Sequence, residues 1–166
     1  MTDPIDLPVR YPYMFRECWP LEIYRGWSPL VIDACQQIDH LLRGQERRFR
    51  WWTIREKYGG LCLGAYLVNP GEDACCDWPS GAADDVGNDP LDFEIERIAR
   101  LSEAASYGLC VFCGSKRSKL QSIGGFRLTV CPKHLVEWMR LAIEFPEAHV
   151  DRVLSAALEP GFVLHE

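Results

Sequence analysis

Cysteine and histidine recur with the spacing of metal ligands at two places: Cys110-Val111-Phe112-Cys113-Gly114, then Cys131-Pro132-Lys133-His134. Each pair encloses two residues, and seventeen residues lie between the pairs. Two intervening residues let one tight turn aim both side chains at a single ion, and Gly114 permits the positive φ that such a knuckle commonly requires. Three thiolates and one imidazole in tetrahedral order suit zinc, whereas an iron–sulfur cluster usually takes four thiolates. The expectation is one zinc ion per chain, held by Cys110, Cys113, Cys131 and His134. Four protein ligands fill the shell and leave no place for water or substrate, so the site is expected to be structural and the protein not an enzyme. No His-x-Glu precedes the cysteines, as a zinc deaminase would require. No nucleophile with its base and no phosphate-binding glycine loop rises above background. Glu137, just past His134, reads as solvated helix surface.

The elements that must position these ligands can be read from periodicity. Between the pairs, Gly124-Gly125 marks a turn, and Phe126, Leu128 and Val130 alternate as a strand leading into Cys131. Leu135, Trp138, Met139 and Ala142 then form a helical stripe, so the second pair stands at a helix start, where the positive dipole end favours a thiolate. Upstream, Ser28-Pro29 reads as an N-cap and first helical residue, with Val31, Cys35, Ile38 and Leu42 on one face and an end near Gly44. His40 on that helix has no second ligand at helical spacing. Alternation of Phe49, Trp51 and Thr53 with Arg48, Arg50, Trp52 and Ile54 predicts a strand, and Tyr58-Gly59-Gly60 turns it into a second, more buried strand ending near Val68. Asp89-Pro90 starts a further helix with Leu91, Ile95, Ile98, Leu101 and Ala105 on one face, and Val150, Val153, Leu154, Ala157 and Leu158 suggest a last one.

The fold class expected is α+β: a β-hairpin or small antiparallel sheet packed with about four helices, plus a zinc finger. One domain is expected, made of an aromatic and proline-rich arm (residues 1–27), a helix and hairpin (28–68), a mobile acidic loop (69–88), and a helix, the finger and C-terminal helices (89–166). The prolines of the arm favour extended chain over helix, packed on the core in preference to forming an exposed strip. Were it exposed, Tyr11, Tyr13, Phe15 and Trp19 would be its anchors for a partner. Cys75 and Cys76 in the acidic loop read as free thiols, and residues 85–89 lack the spacing of a calcium loop.

Composition bounds the function. A hydrophobic fraction of 48%, a charged fraction of 25% and six Trp describe a globular chain with bulky core material. No basic region followed by an apolar stretch opens the sequence, and no apolar run approaches the roughly 20 residues of a membrane span. A cytoplasmic location is expected, and there eight cysteines read as ligands or buried apolar residues before disulfides. The net charge of −6 is uneven: residues 71–96 hold nine acids and no base, whereas residues 110–134 hold five bases and no acid.

Knuckle, hairpin, then a helix carrying the last two ligands is the order of a treble-clef zinc finger, which residues 110–134 resemble. With Gly26-Trp27 opening a helix and Glu56-Lys57-Tyr58-Gly59-Gly60-Leu61 before the finger, residues 26–134 resemble a family of small proteins encoded by phages and bacterial genomes. That resemblance implies the domain order and the zinc ligands, and a host cytoplasm if the chain is phage-encoded; it brings no established activity. The chain departs from the pattern at Cys62-Leu63-Gly64, in the acidic loop and in the arm.

The function expected is that of a non-catalytic, zinc-stabilised protein acting through a protein partner, such as an inhibitor or immunity-type protein in phage–bacterium conflict. The acidic loop could complement a basic partner, and aromatic side chains could supply anchors. The alternative is a nucleic-acid-binding protein that uses Lys116, Arg117, Lys119 and Arg127 of the zinc segment with Arg48, Arg50 and Trp52 of the first strand. Half-buried strands with Arg on the wet face give the same pattern, and the oligomeric state is left open.

Overall fold

The computed structural model describes residues 6–16, 21–44, 49–67, 90–123 and 126–144. The element order is α1 (Leu7–Arg10), α2 (Pro12–Phe15), α3 (Ser28–Leu42), β1 (Phe49–Lys57), β2 (Gly60–Leu67), α4 (Pro90–Ser106), β3 (Lys119–Ile123), β4 (Phe126–Val130) and α5 (Pro132–Glu144). This is an α+β fold with two separate antiparallel hairpins, β1–β2 and β3–β4. The acidic loop with Cys75 and Cys76, residues 85–89, and the expected helix after residue 150 lie outside the described residues.

The arm differs from its expectation. Residues 7–15 are not extended but form two single helical turns, each with a proline in its first turn, where the missing N–H costs nothing. Leu7, Tyr11, Met14 and Phe15 are buried, and α2 packs against β1. Ser28 also differs: its hydroxyl makes no cap but donates to Tyr24 O at 3.1 Å, and Trp27 takes the cap position. Arg43 in the left-handed region (φ 39°) and Gly44 (φ 93°) end α3 where expected.

The first hairpin turns at Tyr58 (φ 54°) and Gly59 (φ 89°), the conformation a tight two-residue connection requires. The more buried strand is β1, not β2: Phe49, Trp51, Thr53 and Ile54 are wholly covered, whereas much of β2 is half-buried. Two features explain why Ile54 is not on the wet face. A bulge between Trp51 and Thr53 breaks the strict alternation, and Leu21 runs beside Ile54 in a parallel bridge, with Glu22 N–H donating to Ile54 O at 2.7 Å. On α4 the buried face is Ile95, Ile98, Ala99, Ser102 and Ser106, rotated from the stripe expected, so that Leu101 and Ala105 are exposed. On α5, Trp138 is buried while Met139 faces solvent.

α3 and β2 both pack on α4, and one apolar cluster joins the arm, α3, the first hairpin, α4 and the finger. Trp27, Trp51 and Trp138 are its largest members, and truncating such a side chain to Ala costs about 3–5 kcal/mol. Among the described residues no helix is long and apolar enough to cross a membrane.

Two glycine contacts fasten the finger to this body. Gly26 N–H donates to Val111 O at 2.9 Å, and a Cβ there would fall on the backbone of Cys110, with Gly114 N and Val111 O each at 2.7 Å. Gly59 O accepts from Thr129 Oγ1 at 2.7 Å, and a Cβ on the neighbouring Gly60 would meet the Tyr107 ring. Gly26→Ala should therefore destabilise by about 3 kcal/mol, because backbone cannot yield as a side chain can. Gly44→Ala, in open space at positive φ, should cost only about 1–2 kcal/mol. Urea denaturation of both variants measures the difference; equal midpoints would mean that Gly26 does not hold the finger in place.

Candidate metal centre

Local backbone bonds shape the knuckle before any ligand is considered. Gly114 N–H donates to Cys110 O at 2.8 Å and Cys110 N–H to Ser115 O at 3.0 Å, closing the turn that carries both cysteines. Gly114 has φ 69°, the conformation expected of it. Val111 N–H donates to Thr129 O at 2.9 Å, which hangs the knuckle on β4. From Val130 the chain passes directly into Cys131, whose carbonyl accepts from Leu135 N–H at 2.9 Å as α5 begins. His134 follows in the first turn of that helix.

These elements bring all four expected ligands together. One ligand atom from each of Cys110, Cys113, Cys131 and His134 lies within 4.8 Å of the others, and the group can hold a metal ion. The shorter separations are Cys113 Sγ to Cys131 Sγ at 3.9 Å, Cys110 Sγ to His134 Nδ1 at 3.6 Å, and Cys131 Sγ to His134 Nδ1 at 3.3 Å. It is Nδ1 that faces the thiols. The His134 ring is stacked on Phe112, with centroids 5.1 Å apart and planes at 23°, which fixes its orientation. Neither the choice of nitrogen nor the role of Phe112 carries a signal in the sequence beyond the position of Phe112 inside the first pair.

The electrostatics of the thiols differ. Burial pushes Cys110 up to about 11, against opposing hydrogen bonds from the backbone N–H groups of Cys131, Phe112 and Cys113. Burial also raises Cys131, but hydrogen bonds from the backbone and ring of His134, and from the Cys110 and Cys113 thiols, prevail and bring it down to about 7. Cys131 is thus drawn toward ionisation by its hydrogen bonds, and a cation among the three sulfurs would favour ionisation of all of them. Cys110 and Cys131 are buried, and Cys113 is exposed.

The other singled-out residues do not gather. Arg50 Nη1 donates to Tyr13 O at 3.1 Å, so its guanidinium anchors the arm. Trp52 lies across Gly64 of β2, with ring atom Cζ2 2.6 Å from where a Cβ would stand. Lys116, Arg117, Lys119 and Arg127 are exposed. In the β3–β4 register, however, Lys119 is paired with Val130 and Arg127 with Ser122, which places those two bases on opposite faces of the hairpin. Tyr11 and Phe15 are 5% and 8% exposed and belong to the core, while Tyr13 is half-buried with its hydroxyl donating to Asp39 Oδ1 at 2.7 Å. Arg48 and Trp19 lie outside the described residues.

Sequence reading missed the joint behind the centre. Leu61 N–H donates to Ser106 Oγ at 2.8 Å, that hydroxyl donates to Glu103 O at 2.6 Å, and Leu63 N–H donates to Glu103 Oε1 at 2.7 Å. The signal was present in Gly59-Gly60, which admits Tyr107 and the finger hairpin at close range.

No family model, curated protein or solved structure matches the chain.

Replacing Cys113 by Ser should lower the thermal midpoint markedly, because it removes one of four converging ligands. Replacing Cys62, half-buried on β2, by Ser should change it little. Melting curves of both variants at matched metal concentration decide the matter, and equal losses would deny Cys113 a place in the cluster.

Proposed function

We propose that the cluster holds a single zinc ion as a structural tie, and that the protein acts without catalysis by binding a protein partner. The supporting observation is the spacing of the ligand atoms. With Zn–S near 2.3 Å and Zn–N near 2.0–2.1 Å, a tetrahedron has edges of about 3.8 Å between two sulfurs and about 3.5 Å between sulfur and nitrogen. Separations of 3.9, 3.6 and 3.3 Å fit one ion at the centre. A multi-iron cluster needs room for several metal atoms and usually a fourth thiolate. Four protein ligands leave no open position, which favours a structural over a catalytic role.

For the partner class, exposed apolar side chains favour protein. Val136 and Met139 on α5 are 69% and 49% exposed and one turn apart on the same helix that carries His134. Side chains of this kind suit the apolar centre of a protein interface. An inhibitor or immunity-type protein of phage–bacterium conflict is one form that such a non-catalytic binding protein takes. Nucleic acid is the second reading, supported by exposed Lys116 and Arg117 but opposed by the division of Lys119 from Arg127 and by the net charge of −6.

Elemental analysis of the purified chain should give one zinc per molecule, and chelation should unfold at least the finger, since such sites supply roughly 10–16 kcal/mol of apparent free energy. A metal content near zero with the fold intact would remove the site.

Anisotropy with short DNA and RNA probes should show binding no tighter than about 10⁻⁴ to 10⁻⁶ M at physiological salt. Nanomolar binding that weakens in a Lys116→Ala, Arg117→Ala variant would promote the nucleic-acid reading. Affinity capture with nuclease present should retain a protein partner that a Val136→Asp, Met139→Asp variant loses while melting normally.

A further inference from the structure

The three cysteines of the cluster are unequal in a way that a purely structural tie does not need. Cys110 is wholly buried and Cys131 is 6% exposed, yet Cys113 is exposed. Its sulfur nevertheless stands 3.9 Å from Cys131 Sγ. A disulfide needs about 2.0 Å between the sulfurs. Cys113 sits in the knuckle turn and Cys131 at the very start of α5, so the two can close that gap by a shift of the turn against the helix end, provided the ion no longer holds them apart.

We infer that Cys113 is a site of oxidation by hydroperoxides, and that its modification expels the zinc ion and joins Cys113 to Cys131. The inference rests on the zinc reading above. Held by zinc, all three cysteines ligate as thiolates, so access decides which one an oxidant meets first, and Cys113 is the exposed ligand. In the first step the Cys113 thiolate attacks one peroxide oxygen; the O–O bond breaks, Cys113 becomes the sulfenic acid, and hydroxide leaves. In the second step the Cys131 thiolate attacks the sulfenic sulfur; the S–S bond forms, the S–O bond breaks, and a second hydroxide leaves. Two protons from solvent convert both hydroxides to water. Two thiolates have then lost two electrons in total, hydrogen peroxide has gained them, and zinc retains only Cys110 and His134 and dissociates. A dithiol reductant and zinc reverse the sequence.

The consequence reaches the helix proposed for partner binding. The cross-link joins the knuckle to Cys131, immediately before α5, and it removes the ion from His134 in the first turn of the helix that carries Val136 and Met139. Oxidation would therefore disturb the start of α5 and, through the contacts of Gly26 and Gly59 with the finger, reach the start of α3 and the first hairpin.

The test uses the full chain with Cys18, Cys62, Cys75 and Cys76 replaced by Ser, purified with its zinc and treated with hydrogen peroxide. Zinc content is measured first, release is followed with a chelating dye, and non-reducing peptide mapping locates the cross-link. The expected result is loss of the bound zinc in step with a Cys113–Cys131 disulfide, restored by dithiothreitol and zinc. A Cys113→His variant, whose imidazole can still ligate zinc, should keep its metal under the same treatment. Zinc that is present and stays bound, or a disulfide that forms elsewhere while Cys113 remains reduced, overturns the inference alone. Absence of zinc before oxidant is added overturns the metal reading and this one with it.

Discussion

Four ligand atoms must meet at one point although they come from a turn and from the start of a helix, and the architecture of residues 110–144 follows from that demand. The turn is closed by Gly114 in the left-handed region, the helix is brought back to it by the β3–β4 hairpin, and Phe112 holds the imidazole so that Nδ1 faces the sulfurs. Three sulfurs this close cannot all ionise without a counter-charge, because each thiolate repels the next and burial already opposes ionisation of Cys110. A divalent cation resolves it, which is why the cluster, and not the apolar core alone, is the natural place to look for what stabilises this end of the chain.

The finger is not an appendage. Residues at its back are shared with the main core: Cys110, Val111, Leu128, Val130 and Trp138 belong to the same apolar cluster as the arm and α3. The junction is made largely by backbone, through Gly26 against the knuckle and Gly59 against Thr129, with Trp27 Nε1 reaching Leu109 O at 3.3 Å. Glycine permits this because a Cβ at position 26 would collide with the backbone of Cys110 and Val111. Distortion at the cluster would thereby be passed to the start of α3 and to the turn of the first hairpin, and a metal ion held there would be coupled to the stability of the rest of the core through these two joints.

What could be read from the sequence divides along the same physical line. Strong periodic or pairwise signals survived: the gathering of Cys110, Cys113, Cys131 and His134, the turn at Tyr58-Gly59, α3 to within a residue or two, and the start of α5. Signals that depend on what packs against a segment did not. The arm was expected to be extended because its prolines disfavour long helices, yet a proline in the first turn is compatible with a single helical turn, and burial of Leu7, Met14 and Phe15 stabilises it. The buried face of α4 was misplaced because Ser102 and Ser106 look polar, whereas Ser106 is buried to hold Leu61 and Glu103. Ile54 was assigned to the wet face because a bulge in a strand has no reliable mark in sequence.

The central claim, that Cys110, Cys113, Cys131 and His134 form one tetrahedral metal site, is open to a direct spectroscopic measurement. Cobalt(II) substituted for zinc reports its own ligands: tetrahedral coordination with thiolates gives intense visible bands and sulfur-to-metal charge transfer in the near ultraviolet. The account predicts such a spectrum, saturating at one cobalt per chain, lost on adding zinc, and altered in intensity when Cys113 is replaced by Ser. Failure of the folded chain to bind cobalt, or the weak bands of six-coordinate cobalt without thiolate charge transfer, would contradict it.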